Sequence, residues 1–220
     1  VEKAENVTEN GGENTQEKRY FAKVLWGGLL KSRKSAALPG AKIYPPTLTN
    51  SDLANIKIAK EMGVTGVMQP FVRDHSDLEC VKEALREAGA EDIRLFAKIE
   101  NMDGVRKLEK LLPAADEIVI ARGDLGNAVH LWDLPGVQRQ ISEKCRAAGK
   151  PFMVVTQMLA SMERSPVPTR AEVNDIFHAV MDGAASIMVT GETAVGDYPV
   201  EVIRYMVNTV RSAEKKKIDK

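Results

Sequence analysis

From Pro39 onward, short apolar runs alternate with longer segments in which apolar residues recur every three or four positions. The first pattern is typical of buried β-strands and the second of amphipathic helices. Their alternation predicts βαβ units and therefore a parallel sheet. The predicted strands are residues 64–69, 93–99, 117–121, 152–155 and 185–189.

Capping residues mark where the predicted helices begin. Thr49 can cap a helix that has Asp52 in its first turn. Thr169 precedes Glu172 by three positions, which is the spacing of a capping box. The predicted helices are one that follows Thr49 and ends by Gly63, then residues 76–88, 103–112, 134–148 and 169–182, and one that starts near Pro199.

This pattern amounts to about five βα units, whereas a closed (β/α)8 barrel has eight. We therefore predict an α/β fold that forms part of a TIM barrel. An open five-stranded parallel sheet with helices on both faces remains an alternative, because the number of strands does not distinguish the two.

The chain divides into four segments by composition. Residues 1–19 are polar and lack periodic apolar positions, which predicts a tail without regular structure. Residues 20–35 contain a short apolar run that predicts a strand. Residues 36–212 form the predicted partial barrel, and residues 213–220 form a charged tail.

Charge and cysteine content narrow the class of protein. The 220 residues include 31 basic and 31 acidic side chains, so no overall field favours nucleic acid or an anionic membrane. No apolar run approaches the ~18 residues that a membrane span needs. Two cysteines, Cys80 and Cys145, do not make a disulfide framework, and we expect a cytoplasmic protein. The chain begins at Val1, which raises the possibility of a longer parent chain.

Polar residues follow several of the predicted strands, where parallel barrels bind their ligands. Alternation along the strand puts Lys98 and Glu100 on the same side. Asp124 follows the next strand, after Arg122 and Gly123. Glu100 and Asp124 are suitable ligands for Mg²⁺, although carboxylates at strand ends are equally common as helix caps. Thr156 ends another strand, where its hydroxyl either orients a ligand or caps a helix.

Five segments, in this order and at these separations, resemble the pyruvate kinase family. Together they are a specific signal, whereas each alone is weak. They are residues 98–101 (KIEN), 121–126 (ARGDLG), 156–159 (TQML), 168–172 (PTRAE) and 191–194 (GETA), with further similarity from residue 27 through residue 40 and at residues 71–73.

The resemblance implies phosphoryl transfer from phosphoenolpyruvate to ADP, which yields pyruvate and ATP in glycolysis. It implies that Glu100 and Asp124 hold Mg²⁺, and that Lys98 stabilises charge on the phosphoryl group and the enolate. The backbone amides of Gly123 and Asp124, with Thr156, are expected to bind the substrate carboxylate. Such a site works by positioning and electrostatic stabilisation.

Three further residues are expected to support the site: Arg122, Arg73 and Glu192. The resemblance also implies K⁺, whose ligands belong to barrel strands that this sequence does not contain, and a lid domain of which residues 20–35 are the return strand. Pro70 stands where the family generally has serine, which removes a hydroxyl from the site. We expect a homo-oligomer or a segment of a longer chain that is inactive when isolated.

Two other functions are compatible with the same residues. A metal-dependent aldolase or lyase could use a Glu and Asp pair in a barrel of this type. A barrel-half paralogue could bind a ligand or a partner protein without turnover.

Overall fold

A computed structural model describes residues 3–7, 17–25, 27–29, 32 and 44–218. The chain forms two compact units, residues 1–36 and 37–220, and each is described by itself. The sequence segment 38–40 lies outside the described residues.

The first unit contains two short strands. β1 (Lys3–Val7) and β2 (Glu17–Phe21) pair in antiparallel orientation, with Glu5 opposite Arg19. The structure thus differs from the unstructured tail predicted for residues 1–19. That prediction rests on the lack of a buried core, but two paired strands can satisfy backbone N–H and C=O groups without one. Among the described residues of the predicted return strand, 20–35, Tyr20 and Phe21 belong to β2, whereas residues 22–25, 27–29 and 32 are not in a strand.

The second unit is built on five parallel strands. Their spatial order follows their order in the chain, and each pairs with the next. A doubly wound open sheet reverses its strand order at a switch point, whereas a barrel wall advances in one direction. The order therefore matches the predicted partial barrel. The strands are β3 (Gly66–Gln69), β4 (Arg94–Ile99), β5 (Glu117–Ala121), β6 (Phe152–Val155) and β7 (Ser186–Met188).

Helices connect these strands. Within the described residues, no helix is both long enough and apolar enough to cross a membrane. The helices are α1 (Asn50–Ala59), α2 (His75–Glu87), α3 (Met102–Arg106), α4 (Leu108–Leu111), α5 (Arg122–Ala128), α6 (Leu134–Ala147), α7 (Arg170–Met181), α8 (Gly191–Ala194) and α9 (Pro199–Ile218), with a 3-10 turn at Ala160–Glu163.

The capping box predicted at Thr169 is present, and the predicted cap at Thr49 is a capping box as well. The Thr49 hydroxyl accepts a hydrogen bond from the Asp52 N–H, and the Asp52 carboxylate accepts one from the Thr49 N–H. Thr169 and Glu172 form the same reciprocal pair at the start of α7. Each box satisfies backbone donors that a helix start leaves without intrahelical partners.

Three helical segments differ from the prediction. The single helix predicted at residues 103–112 is broken at Lys107 into α3 and α4. The glycine-containing segment after Ala121 is helix α5, which buries Leu125 completely. Helix α9 continues to Ile218, through most of the predicted charged tail. Lysine is a good helix former, and its charge is favourable near a helix C-terminus.

Apolar residues cover both faces of the sheet. On one face Leu95, Ala97 and Ile99 join the large core shared with the helices. On the other, Val119, Ala121 and Val155 are buried within a smaller cluster. Partly buried apolar side chains pack against that cluster: Met68, Phe96, Met153 and Met188. Alternation along β4 therefore assigns Lys98 to the same face as Phe96.

Candidate active site at the strand tips

The tip of β4 carries a buried ion pair. Lys98 Nζ lies 2.7 Å from Glu100 Oε1, and the two side chains are 25% and 2% exposed. The alternation that places both residues on one side of the strand brings their charges into contact. An ammonium close to a buried carboxylate offsets part of the cost of removing that charge from water.

The second oxygen of Glu100 is held by the backbone of the β3 loop. The Phe71 N–H donates to Glu100 Oε2 at 2.7 Å. Phe71 has φ +51°, a left-handed conformation that is unfavourable for a bulky residue. The hydrogen bond to a charged acceptor is strong enough to help maintain that conformation.

Asn101 fixes the same loop to the start of α3. Its Oδ1 accepts from the Gly104 N–H at 2.9 Å, and its Nδ2 donates to the Val72 carbonyl at 3.1 Å. A Cβ on Gly104 would lie 2.7 Å from the Val72 oxygen, so only glycine permits this approach. The tips of β3 and β4 are thereby held together.

Arg73 forms a second buried ion pair. Its Nε and Nη2 donate to the two oxygens of Asp77 at 3.0 and 2.5 Å, and the Thr47 hydroxyl donates to Asp77 Oδ1 at 2.6 Å. Burial raises the pKa of Asp77, but the hydrogen bonds from Arg73 and Thr47 outweigh it and lower the pKa to about 2. The predicted supporting residue Arg73 is thus anchored to α2 and to the chain before α1.

A cavity of about 390 Å³ opens beside these loops. Aromatic and proline side chains form much of its wall, together with polar and charged side chains. Its lining includes Tyr44, Pro46, Pro70, Phe71, Arg73 and Asn101. Since the Phe71 N–H also binds Glu100, the cavity adjoins the Lys98–Glu100 pair.

Asp124 lies in the first turn of α5 and is exposed. Gly123 precedes it and packs closely on Thr156, since a Cβ on Gly123 would lie 2.9 Å from Thr156 Cγ2. The structure therefore brings Gly123 and Thr156 together across the tips of β5 and β6. Backbone N–H groups in the first turn of a helix have no intrahelical partner and are available to an anion.

Arg122 binds the backbone at the tip of β6. Its Nη2 and Nε donate to the Thr156 carbonyl at 2.7 and 3.2 Å. Its Nη1 donates to both oxygens of Asp175, at 2.8 and 2.6 Å. Asp175 is a residue that the sequence analysis missed, because it lies 53 positions from Arg122. No pattern of neighbouring residues in the sequence indicates its contact with Arg122.

Glu192 joins the loops after β6 and β7. It is 2% exposed, and its carboxylate accepts from the Leu159 N–H at 3.2 Å and the Thr190 N–H at 2.8 Å. Burial raises the pKa of Glu192, but these backbone donors outweigh it, and the pKa is lowered. The side chain is therefore held as a carboxylate between the loops.

The available oxygen ligands fit a hard cation. Within the residues that the structure describes, no three His, Cys, Asp or Glu side chains converge into a metal-binding group. Mg²⁺ commonly takes only one or two carboxylates and completes its shell with water and substrate phosphate. Glu100 and Asp124, at the ends of the adjacent strands β4 and β5, suit such a site.

Comparison with known proteins gives consistent matches. The family model described as pyruvate kinase, barrel domain, matches residues 8–203. The chain is 40% identical over 201 residues to a pyruvate kinase of Bacillus licheniformis, covering 91% of this chain and 34% of the relative. It is 42% identical over 183 residues to a pyruvate kinase of Geobacillus stearothermophilus, covering 83% and 31%.

A third relative gives a similar result. The chain is 42% identical over 185 residues to a pyruvate kinase of Dictyostelium discoideum, covering 84% of this chain and 36% of the relative. The chain thus spans about a third of the length of these relatives. From the family match and the sequential parallel sheet, the chain belongs to the pyruvate kinase family, to its barrel domain.

Proposed function

We propose that this chain contributes the Mg²⁺- and phosphoenolpyruvate-binding part of a pyruvate kinase active site. The reaction would be the glycolytic transfer of a phosphoryl group from phosphoenolpyruvate to ADP. The buried contact between Lys98 and Glu100 is the observation that carries the proposal. A buried carboxylate beside a partly exposed ammonium combines a cation ligand with an anion ligand at one strand tip.

Each residue has a distinct task in this proposal. Glu100 and Asp124 hold Mg²⁺, which when bound neutralises developing negative charge on the substrate oxygens. Lys98 turns its ammonium toward the transferring phosphoryl group and the enolate oxygen. The backbone amides of Gly123 and Asp124, with the Thr156 hydroxyl, bind the substrate carboxylate. The loops that carry these groups are held in place by Arg122, Arg73 and Glu192.

The cavity beside Phe71 is a suitable place for the nucleotide. Its aromatic and proline lining can pack against a flat heterocyclic base, and it adjoins the strand tip that carries Glu100. We therefore place ADP there in the proposal. We include K⁺ in the proposed site only because membership of the family implies it.

Turnover is proposed to need barrel strands beyond those described. In the described sheet, β3 pairs only with β4, and β7 pairs only with β6, so each has an open edge. Folded proteins normally cover such edges. The same observation favours a second candidate, a barrel half that binds ligand without turnover. We also propose a homo-oligomer or a longer parent chain as the working form.

A cytoplasmic location is part of the proposal. Cys80 and Cys145 are both free thiols, and burial raises the pKa of Cys145 to about 12, so that thiol is unreactive. The equal numbers of acidic and basic residues, 31 each, give no support for a nucleic-acid or membrane partner.

Calorimetric titration of phosphoenolpyruvate into the chain, with and without Mg²⁺, tests the binding proposal. We expect Mg²⁺-dependent binding in the unmodified chain and its loss in Glu100→Gln. Glu109→Gln is the matched control, because Glu109 lies on α4 with a side chain that is 75% exposed. Equal binding by all three proteins, or binding by none, would refute the proposal.

A coupled assay for ATP formation then separates the candidate functions. Phosphoenolpyruvate-dependent ATP formation supports the kinase and contradicts the expected inactivity of the isolated chain. Binding without turnover, even after the missing strands are supplied, supports the non-catalytic barrel half. Cleavage of a 2-keto acid without ADP supports a lyase.

A further inference from the structure

The backbone at the tip of β6 is strained. Thr156 has φ +82° and Gln157 has φ +54°, so two consecutive residues with a Cβ adopt left-handed conformations. Such conformations are unfavourable for these residue types and persist only when surrounding contacts enforce them. The contacts that enforce this one therefore determine where Thr156 lies.

The Arg122 guanidinium makes contacts of this kind. Two of its nitrogens donate to the Thr156 carbonyl at 2.7 and 3.2 Å, and Nη2 also lies 3.4 Å from the Gln157 carbonyl. The guanidinium binds both strained peptides from one side. Its side chain is only 13% exposed, so water competes weakly for these donors.

The guanidinium is in turn oriented by Asp175. Nη1 donates to Asp175 Oδ1 at 2.8 Å and to Oδ2 at 2.6 Å, and the Asp175 side chain is 32% exposed. Asp175 is carried by α7, a helix fixed by its capping box and by the fully buried Ile176. A rigid helix thus sets the plane of the guanidinium that holds the strand tip.

We propose that Asp175 is a positioning residue of this site, which acts through Arg122 to hold Thr156 and Gln157 in their left-handed conformations. This inference rests on the proposed role of Thr156 in substrate binding. The close packing of Thr156 on Gly123, where a Cβ would come within 2.9 Å, then fixes Thr156 relative to the first turn of α5. Asp175 itself does not contact the substrate.

The first test is a double-mutant cycle that needs no ligand. Glycine adopts positive φ readily, so Gln157→Gly removes strain that the Asp175–Arg122 pair has to hold. We expect Asp175→Asn to lower the melting temperature, and to lower it by about half as much in the Gln157→Gly background. An ion pair with only a general structural role would give the same decrease in both backgrounds, which would overturn the proposal.

The second test measures the position of Thr156 and its consequence for binding. In Asp175→Asn we expect shifted ¹⁵N–¹H signals for Thr156 and Gln157, and a Kd for phosphoenolpyruvate with Mg²⁺ that is about tenfold higher. Asp175→Glu, which keeps the charge, should restore most of the affinity. Asp182→Asn, at the C-terminal cap of α7, is the matched control and should change neither measurement.

The outcomes distinguish this inference from the proposed function. Unchanged Thr156 and Gln157 signals in Asp175→Asn would refute the positioning role, whatever the affinity. Shifted signals in a chain whose unmodified form does not bind phosphoenolpyruvate would leave the positioning of the backbone supported and refute the proposed function. If Asp175→Asn does not fold, Arg122→Lys in the two backgrounds gives the same comparison, because a lysine cannot donate to Asp175 and to both strained peptides at once.

Discussion

Two ion pairs lie near the tips of β3 and β4: Arg73 with Asp77, and Lys98 with Glu100. Their carboxylates are equally buried but accept different numbers of hydrogen bonds. Asp77 and Glu100 are each 3% exposed. Asp77 accepts four hydrogen bonds, three from Arg73 and one from Thr47. Glu100 accepts from the Phe71 N–H and contacts Lys98. A carboxylate offers about four lone-pair sites, so Asp77 is saturated while Glu100 retains capacity for a ligand.

The two cations also differ in how many of their hydrogen-bond donors are engaged by the protein. Arg73 also donates to the Pro45 carbonyl at 3.2 Å, so its guanidinium ties three segments together. Lys98 has three donors on a flexible stem and can move toward a ligand. Burial alone therefore does not identify a functional charge. The number of remaining hydrogen-bonding positions separates a pair that stabilises the fold from a pair that can bind substrate.

Replacing Asp77 by asparagine should have the largest effect on stability. The amide keeps one acceptor oxygen but turns its NH₂ toward the donors of Arg73 and Thr47, which leaves buried donors unsatisfied. We expect a loss of about 3 kcal/mol in the free energy of unfolding, measured by urea denaturation. Asp103→Asn, at a side chain that is 48% exposed, is the control and should stay within about 0.5 kcal/mol. Equal losses in the two variants would contradict the structural role of Asp77.

The free energy of unfolding should depend on pH through the titration of the Asp77 carboxylate. Its pKa of about 2 in the folded chain lies below the ordinary value of 3.8, because hydrogen bonds from Arg73 and Thr47 outweigh burial. The unfolded chain therefore binds the proton more readily, and this contribution is fully present above about pH 4 and is lost as the pH falls toward 2. Urea midpoints of the unmodified chain and Asp77→Asn should converge over this interval. A constant difference between them would argue against the lowered pKa.

Much of the fold follows from apolar patterning, and the exceptions have physical causes. The strands at residues 117–121 and 152–155 have the predicted bounds. Strands buried on both faces are continuous apolar runs, which makes them easy to recognise. Helix α5 was missed because Gly123 and Gly126 suggest a loop, whereas burial of Leu125 stabilises the helix. Local propensity was overridden there by tertiary packing.

The contacts in the candidate site also differ in whether the sequence predicts them. The contact between Lys98 and Glu100 was predictable, because residues two apart on a strand share a face. The contact between Arg122 and Asp175 was not, since it joins residues 53 positions apart. The Phe71 N–H that holds Glu100 depends on a backbone with φ +51°, for which phenylalanine gives no signal. Interactions within one strand are encoded locally, whereas those between loops require the folded chain.

Glu100→Gln should reduce stability less than Asp77→Asn does. The glutamine oxygen can still accept from the Phe71 N–H, and Lys98, whose side chain is 25% exposed, can turn to water. We expect a loss of only about 1 kcal/mol in the free energy of unfolding, together with loss of Mg²⁺-dependent phosphoenolpyruvate binding. A loss of stability as large as that of Asp77→Asn would assign Glu100 a structural role.

Asp124→Asn should have the smallest effect on stability. Asp124 is exposed in the first turn of α5, where asparagine is also tolerated, so the free energy of unfolding should change by no more than about 0.5 kcal/mol. Binding of Mn²⁺ in place of Mg²⁺, followed by electron paramagnetic resonance, should nevertheless weaken at least tenfold if Asp124 shares the cation with Glu100. The exposed Asp133, just before α6, provides the matched Asp133→Asn control. Equal Mn²⁺ affinity in both variants would remove Asp124 from the metal site and leave Glu100 as its remaining proposed ligand.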